Sequence, residues 1–224
     1  MILNVLEKKQ VSKNIFSLIL EKPKGFIFYP GQYLDVELPV DDPNGSTRAF
    51  TISSSPTENS LMVTTKKGIS PFKKFMENIK PGETVSTSHP AGTFTLDETE
   101  KAVFIAGGIG ITPFRSMIKY VLDQQLKTPI ILIYLNSVNN FPFKNELDNW
   151  QNKLPNLKIH YVNTTVQGKL DKGKLKIILH TKYLILNTIF YLAGPPGMVD
   201  DVEKILLKIE VDPINIRTDR FDGY

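Results

Sequence analysis

Apolar and polar positions alternate along the first ninety-odd residues in short runs, each stopped by a turn signal. VSKNIFSLILEKP (11–23) alternates and ends at Pro23. GQYLDVELPV (31–40) follows the Pro30–Gly31 turn, and DDPNGS (41–46) is a cluster of turn formers ahead of RAFTISSSP (48–56). SLMVTTKK (60–67) is a further strand, and GETVSTSHPAGTFTL (82–96) predicts two more around His89–Gly92. Period-two runs at this spacing predict an antiparallel β-barrel or sandwich. SPFKKFMENIK (70–80) breaks the rhythm. Ser70 fits an N-cap and Pro71 the first helical position, and Phe72, Phe75, Met76 and Ile79 fall on one helical face.

After about residue 98 the pattern changes. AVFIAGG, PIILIYLN, LKIHYVN and TIFYLAGP are apolar enough to be buried on both faces. Each precedes a helical pattern: TPFRSMIKYVLDQQL, FPFKNELDNWQNKLP, GKLDKGKLKIILH and PGMVDDVEKILLKIE. Four βα units in series predict a doubly wound parallel sheet, with ligands beyond the carboxyl ends of its strands. The expected organisation is therefore a barrel domain over 1–97 and an α/β domain over 98–224.

Composition narrows the chemistry. The chain has 224 residues, 41% hydrophobic and 22% charged, and no cysteine. That excludes disulfides, thiolate zinc sites and iron–sulfur clusters held by this chain, and it suits a reducing compartment. Of the three histidines, none has metal-ligand spacing with another, so no metal site is expected. The net charge of +4 is spread out, unlike the basic clusters with interleaved aromatics of a nucleic-acid surface. The first twenty residues lack a signal-peptide pattern, and no apolar run approaches the roughly 18–20 residues of a membrane span. A cytoplasmic protein is expected.

Two strand ends are rich in glycine. AGGIGITP (106–113) sets Gly107, Gly108 and Gly110 between a strand and a helix, where a tight turn and a pyrophosphate cradle are equally served. It is neither a P-loop nor the full dinucleotide fingerprint. AGPPGM (193–198) ends a second strand of the same sheet. Two such ends suggest a flat ligand across the end of the sheet.

Taken in order, RAFTISS, KGISPFKKF, HPAGTFTL, GGIGITP and AGPPGM resemble the motifs of the ferredoxin–NADP reductase superfamily over nearly the whole chain. The resemblance implies FAD on the barrel and NADH or NADPH on the α/β domain. It implies that Arg48 pairs with the flavin pyrophosphate, that Phe50 packs on the isoalloxazine and that Thr51 lies near flavin N5. Val63, Thr64 and Thr65 would follow the ribityl and phosphate portion, and Gly68, Ile69 and Ser70 would hold the pyrophosphate. Gly108, Gly110 and Thr112 would line the nicotinamide path, with Gly194, Pro195 and Met198 bordering it. Phe221, then Tyr224, would cover the other flavin face. Thr51, Phe50 and Phe221 are thus the residues expected nearest the chemistry.

The chain departs from the family pattern at Ala193, where many members have cysteine. The segments VNTTVQG (162–168) and LNSVNN (135–140) lack the arginine expected to meet a 2′-phosphate, which favours NADH, with Lys144 and Lys169 as alternative cations and Asn136 as a ribose acceptor. The implied activity is hydride transfer from NAD(P)H to bound FAD, with electrons passed on to a separate, acidic carrier such as ferredoxin or flavodoxin. A free-flavin or ferric reductase, or an electron-relay subunit dependent on a partner, are the alternatives.

Overall fold

The structure, a computed structural model, describes residues 1–179 and 187–221. They form two compact units, one of Met1–Leu96 with Thr112–Tyr120, the other of Asp97–Ile111 with the described residues from Val121 onward.

The first unit carries β1 (Ile2–Ser12), β2 (Ile15–Glu21), β3 (Tyr33–Glu37), β4 (Thr47–Thr51), β5 (Ser60–Lys66) and β6 (Thr84–Thr87). These pair antiparallel in the order β4-β3-β6-β1-β2-β5. Leu3 and Val5, Leu18 and Leu20, Leu34 and Val36, and Leu61 and Val63 recur at two-residue spacing and meet in one core. Just past β4, Ile52 bridges Val63 and the Ser53 N–H donates to the Met62 carbonyl at 2.7 Å. The two edge strands are thereby joined, which closes the sheet on itself. Helix α1 (Pro71–Asn78) adds Phe72 and Met76, both fully buried, to this core.

Two expectations need correction. The alternating run 11–23 is not one strand: β1 ends at Ser12, Lys13 and Asn14 turn, and β2 begins at Ile15, with Ser12 paired to Ile15. Register shifts between Val5 and Glu7 and between Gln10 and Ser12 break the alternation of β1, as bulges do. The segment 82–96 yields one strand, not two. Beyond β6 only Ala91 pairs, as a single bridge to Tyr33. Pro90 has no N–H to offer, and Gly92, at φ 101° against the Tyr33 ring, turns the chain away.

The second unit is a five-stranded, wholly parallel sheet in the order β11-β10-β7-β8-β9. Its strands are β7 (Lys101–Gly107), β8 (Ile130–Asn136), β9 (Leu157–Asn163), β10 (Thr188–Gly194) and β11 (Ile216–Arg220). β10 is buried throughout and β7 from Ala102 on, as their apolar runs require. The helices that follow these strands are α2 (Thr112–Asp123), α3 (Lys144–Lys153), the single-turn α4 (Thr164–Gln167), α5 (Lys172–Leu179) and α6 (Pro196–Lys208). Within the pattern 168–180, the helix starts only at Lys172, because the Asp171 carboxylate accepts from the Lys174 N–H at 2.9 Å and caps it. β11 lies in what the sequence suggested was a tail, and its mixed polar residues give no alternation to read. No helix among the described residues is long and apolar enough to cross a membrane.

Phe72 joins helix α1 to the barrel core. Phe72→Ala is expected to lower the free energy of unfolding by about 3–5 kcal/mol, measured by urea denaturation. A change below about 1 kcal/mol would mean that α1 is not part of the barrel's cooperative core.

Candidate functional site

Arg48 and Phe50 share a face of β4, two residues apart, and both are buried. Phe50 stacks on Phe72 with ring centres 6.0 Å apart and planes 19° apart. The Arg48 guanidinium lies 5.1 Å from the Phe72 ring centre. Its Nη1 donates to the carbonyls of Asn44, Gly45 and Thr47 at 2.6–2.8 Å, and its Nη2 to the Asp42 carboxylate at 3.1 Å. Asp42 in turn accepts from the N–H groups of Asn44 (2.9 Å) and Phe72 (3.0 Å). These contacts, Phe72 first and then Asn44, with Ser70 and Arg48 adding, hold its carboxyl below the usual carboxylate range. An anion of the protein's own thus sits at the first turn of α1.

Ser70 caps α1 through the Lys73 N–H at 3.3 Å. The preceding backbone N–H groups of Gly68 and Ile69 make no hydrogen bond among the described residues, and Ile69 is 91% exposed. Lys73 turns back over this loop. Its ammonium donates to the Thr65 hydroxyl at 2.6 Å and lies 5.4 Å from the Phe50 ring centre. A Cβ on Gly68 would lie 2.9 Å from the Lys73 chain, so the glycine makes room for it.

The hydroxyl row of RAFTISSSP is largely structural. Ser53 donates to the Met62 carbonyl and shares Thr64 Oγ1 with Ser17, at 2.7 and 2.8 Å. Ser54 accepts from the Met62 N–H, and its carbonyl accepts from the Ser116 hydroxyl of α2. Arg115, also on α2, donates to the Ser53 carbonyl at 2.8 Å and to Glu58 at 3.0 Å.

In the α/β unit, β7 runs into a tight 3-10 turn, Gly108–Ile111, before α2. The Tyr134 hydroxyl donates to the Gly108 carbonyl at 2.9 Å. Gly110 packs on the end of β10 so closely that a Cβ would stand 2.2 Å from the Ala193 carbonyl oxygen. Gly107 and Gly194 face one another, and a Cβ on either would strike Met198 Cε. These glycines are therefore required by the approach of the two strand ends, where the sequence left a tight turn and a pyrophosphate cradle open. Gly197 does face open space. Pro195 is the N-cap residue of α6, Thr112 is buried at the start of α2, and the half-buried Phe221 is fixed by its N–H to the Gly194 carbonyl at 2.9 Å.

The chain matches two family descriptions in succession, "Oxidoreductase FAD-binding domain" over residues 2–96 and "Oxidoreductase NAD-binding domain" over 104–204. The chain belongs to the ferredoxin–NADP reductase superfamily. It is similar to Flavohemoprotein A of Dictyostelium discoideum, at 26% identity over 96% of this chain and 58% of the relative. It is also similar to the toluate 1,2-dioxygenase electron transfer component of Pseudomonas putida, at 26% identity over 95% and 65%. The chain thus spans roughly half to two thirds of these relatives' length. Among solved structures it shares the fold of the FAD/NAD-binding domain of nitric oxide dioxygenase from Vibrio cholerae O1 biovar El Tor, with TM-score 0.82, 22% identity and 98% of each chain covered. The ferredoxin–NADP reductase of Plasmodium falciparum gives TM-score 0.83 and 20% identity over 98% of this chain and 95% of that one.

The barrel residues of this reductase-family chain fit an anionic flavin nucleotide in one specific respect. They gather a partly buried ammonium and unbonded loop N–H groups beside the Phe50 ring, and Asp42, the nearby acid, is already engaged. Of the strand expected to follow the flavin, Thr65 meets Lys73, whereas Val63 lies in the core and Thr64 bonds Ser17 and Ser53. Thr51 is buried opposite Tyr33 in β3. Tyr224 lies outside the described residues.

Sequence reading missed three residues. Asp42 stands in the turn-forming cluster 41–46, and Lys73 lies between the apolar positions of the helical pattern 70–80. Asp219, on β11, pairs in register with Ala193, and burial pushes its carboxyl up to about 6. The native state then holds this proton over a range where the unfolded chain has lost it, so stability falls as pH rises from about 4 to 6. Asp219→Asn is expected to be more stable than the parent by on the order of 2 kcal/mol at pH 7.5, with the gap gone near pH 4, measured by urea unfolding. A gap independent of pH would contradict this.

Proposed function

We propose that this protein takes a hydride from NAD(P)H onto bound FAD and passes the electrons to a separate acceptor, a ferredoxin or flavodoxin in the simplest case. The flavin would be held by the segment 1–97 and the nicotinamide by 98–224. The observation that carries this reading is the succession of the two matched domains, and the Gly68–Ser70 loop and the β7 and β10 ends are where their ligands would bind. When bound, the flavin supplies the redox chemistry. The protein's part is to bind and orient: Phe50 offers an apolar ring, the Gly68–Ser70 backbone and nearby cations meet phosphate, and the β7 and β10 ends present backbone to the nicotinamide.

NADH is the preferred donor in this reading. Lys169 is paired with Asp201 at 3.1 Å. Lys144 is paired with Asp148 at 2.6 Å and lies 4.3 Å from the Tyr161 ring centre. The Asn136 amide donates to its own loop, at the Asn140 carbonyl. A 2′-phosphate would have to break such pairs to gain a cation.

Relatives described as an electron transfer component and as reductase subunits of monooxygenases favour an oxygenase-type partner as the second acceptor class. The test is anaerobic. FAD-loaded protein should bleach with NADH at a rate at least tenfold above that with equimolar NADPH, then reduce an added ferredoxin or flavodoxin. Protein that stays colourless after incubation with FAD would refute the assignment. Rapid turnover of free flavin as substrate would favour the flavin-reductase alternative.

A further inference from the structure

Resting on the reading of the barrel as a flavin site, we propose that Lys73 is a phosphate-binding cation of that site and selects flavin nucleotides over riboflavin. Its side chain touches three positions of the loop and strand just described: Thr65 by a 2.6 Å hydrogen bond, Phe50 at 5.4 Å from the ring centre, and the Cα side of Gly68. The groups facing it are known from each neighbouring element. Arg48 comes from β4 and Lys66 and Thr65 from β5, and the nearby acid Asp42, in the β3–β4 loop, bonds Arg48.

Asp42 does not serve as its counter-ion. That carboxylate is taken up by Phe72 N–H, Asn44 N–H and Arg48. Arg48 is itself drawn to three loop carbonyls, so its guanidinium holds the loop. Among the described residues Lys73 has a neutral hydroxyl as its acceptor and no carboxylate. Burial first, then Arg48 and Lys66, lower its pKa to about 8. A cation that is partly desolvated, close to other cations and without an acid is stabilised by an arriving phosphate anion. Riboflavin, which has no phosphate, gains nothing from it.

The experiment compares FAD, FMN and riboflavin binding to the full chain by flavin fluorescence, for the parent, Lys73→Met and Lys73→Arg. Lys73→Met should weaken FAD and FMN by about 10- to 100-fold and leave riboflavin unchanged. Phosphate binding favours the charged amine, so parent affinity for FAD should fall as pH rises from 7 to 9. Lys73→Arg should keep most of the affinity and lose that pH dependence. Should Lys73→Met fold poorly by circular dichroism, Lys73→Gln replaces it, and the pH profile of the parent still decides. Equal loss for all three flavins would show a structural role and overturn the proposal, as would unchanged FAD affinity in Lys73→Met or a flat parent profile. A parent that binds none of the three flavins would overturn the flavin reading as well.

Discussion

A carboxylate buried at the first turn of a helix organises one end of the barrel. Asp42 accepts from Phe72 N–H, and this fastens the loop between β3 and β4 to α1. Its charge then draws Arg48 inward, and Arg48 gathers the carbonyls of Asn44, Gly45 and Thr47. A buried pair of this kind adds little net stability over an apolar pair, but removing one partner strands the other's charge. What it supplies here is placement. Asp42 holds N2 of the helix and Ser70 holds N3, while in the loop ahead of them the N–H groups of Gly68 and Ile69 make no hydrogen bond among the described residues.

The α/β unit answers to a steric constraint. β7 and β10 are neighbours, and the chain leaving each must turn in the same small volume. Gly110 against Ala193, and Gly107 against Gly194, are approaches no side chain permits. The cost of glycine's freedom in the unfolded chain is accepted there because the backbone itself must come close. β11 extends this arrangement, since its pairing with β10 sets Asp219 beside Ala193 and leads Phe221 to the Gly194 carbonyl.

The large features were legible because they rest on periodicity. Runs such as AVFIAGG and TIFYLAGP announce doubly buried parallel strands, and the Ser70–Pro71 cap announces α1. The boundaries that failed are those set by single residues: the Lys13–Asn14 turn, the Pro90 gap that ends β6 pairing, and the Asp171 cap that delays α5. β11 failed for another reason. An edge strand of half-buried polar residues carries no hydrophobic rhythm, and its partner is distant in sequence. At the site, motif residues such as Arg48 and Gly110 were found. Their environments were not, since the Arg48–Asp42 pair and the Gly110–Ala193 approach exist only once the chain is folded.

Lys73 and Asp219 share a physical logic that explains why a linear reading passes over them. Both are ordinary surface residue types, and both become unusual only through burial, which raises the energy of a charge that lacks a partner. A fold selected for stability alone would pair or replace them, and natural sequences depart from local consistency mainly where function requires it. The directions differ in a telling way. Lys73 keeps its charge at neutral pH against burial and two neighbouring cations, so an anion that binds there gains more than it would beside an exposed lysine. Asp219 holds its proton up to about pH 6, where an exposed aspartate has already lost its own. In each case the destabilisation is local: taking up a proton relieves it at Asp219 below about pH 6, and an arriving anion would relieve it at Lys73. That is why the same feature that weakens the free protein would strengthen its complex with ligand.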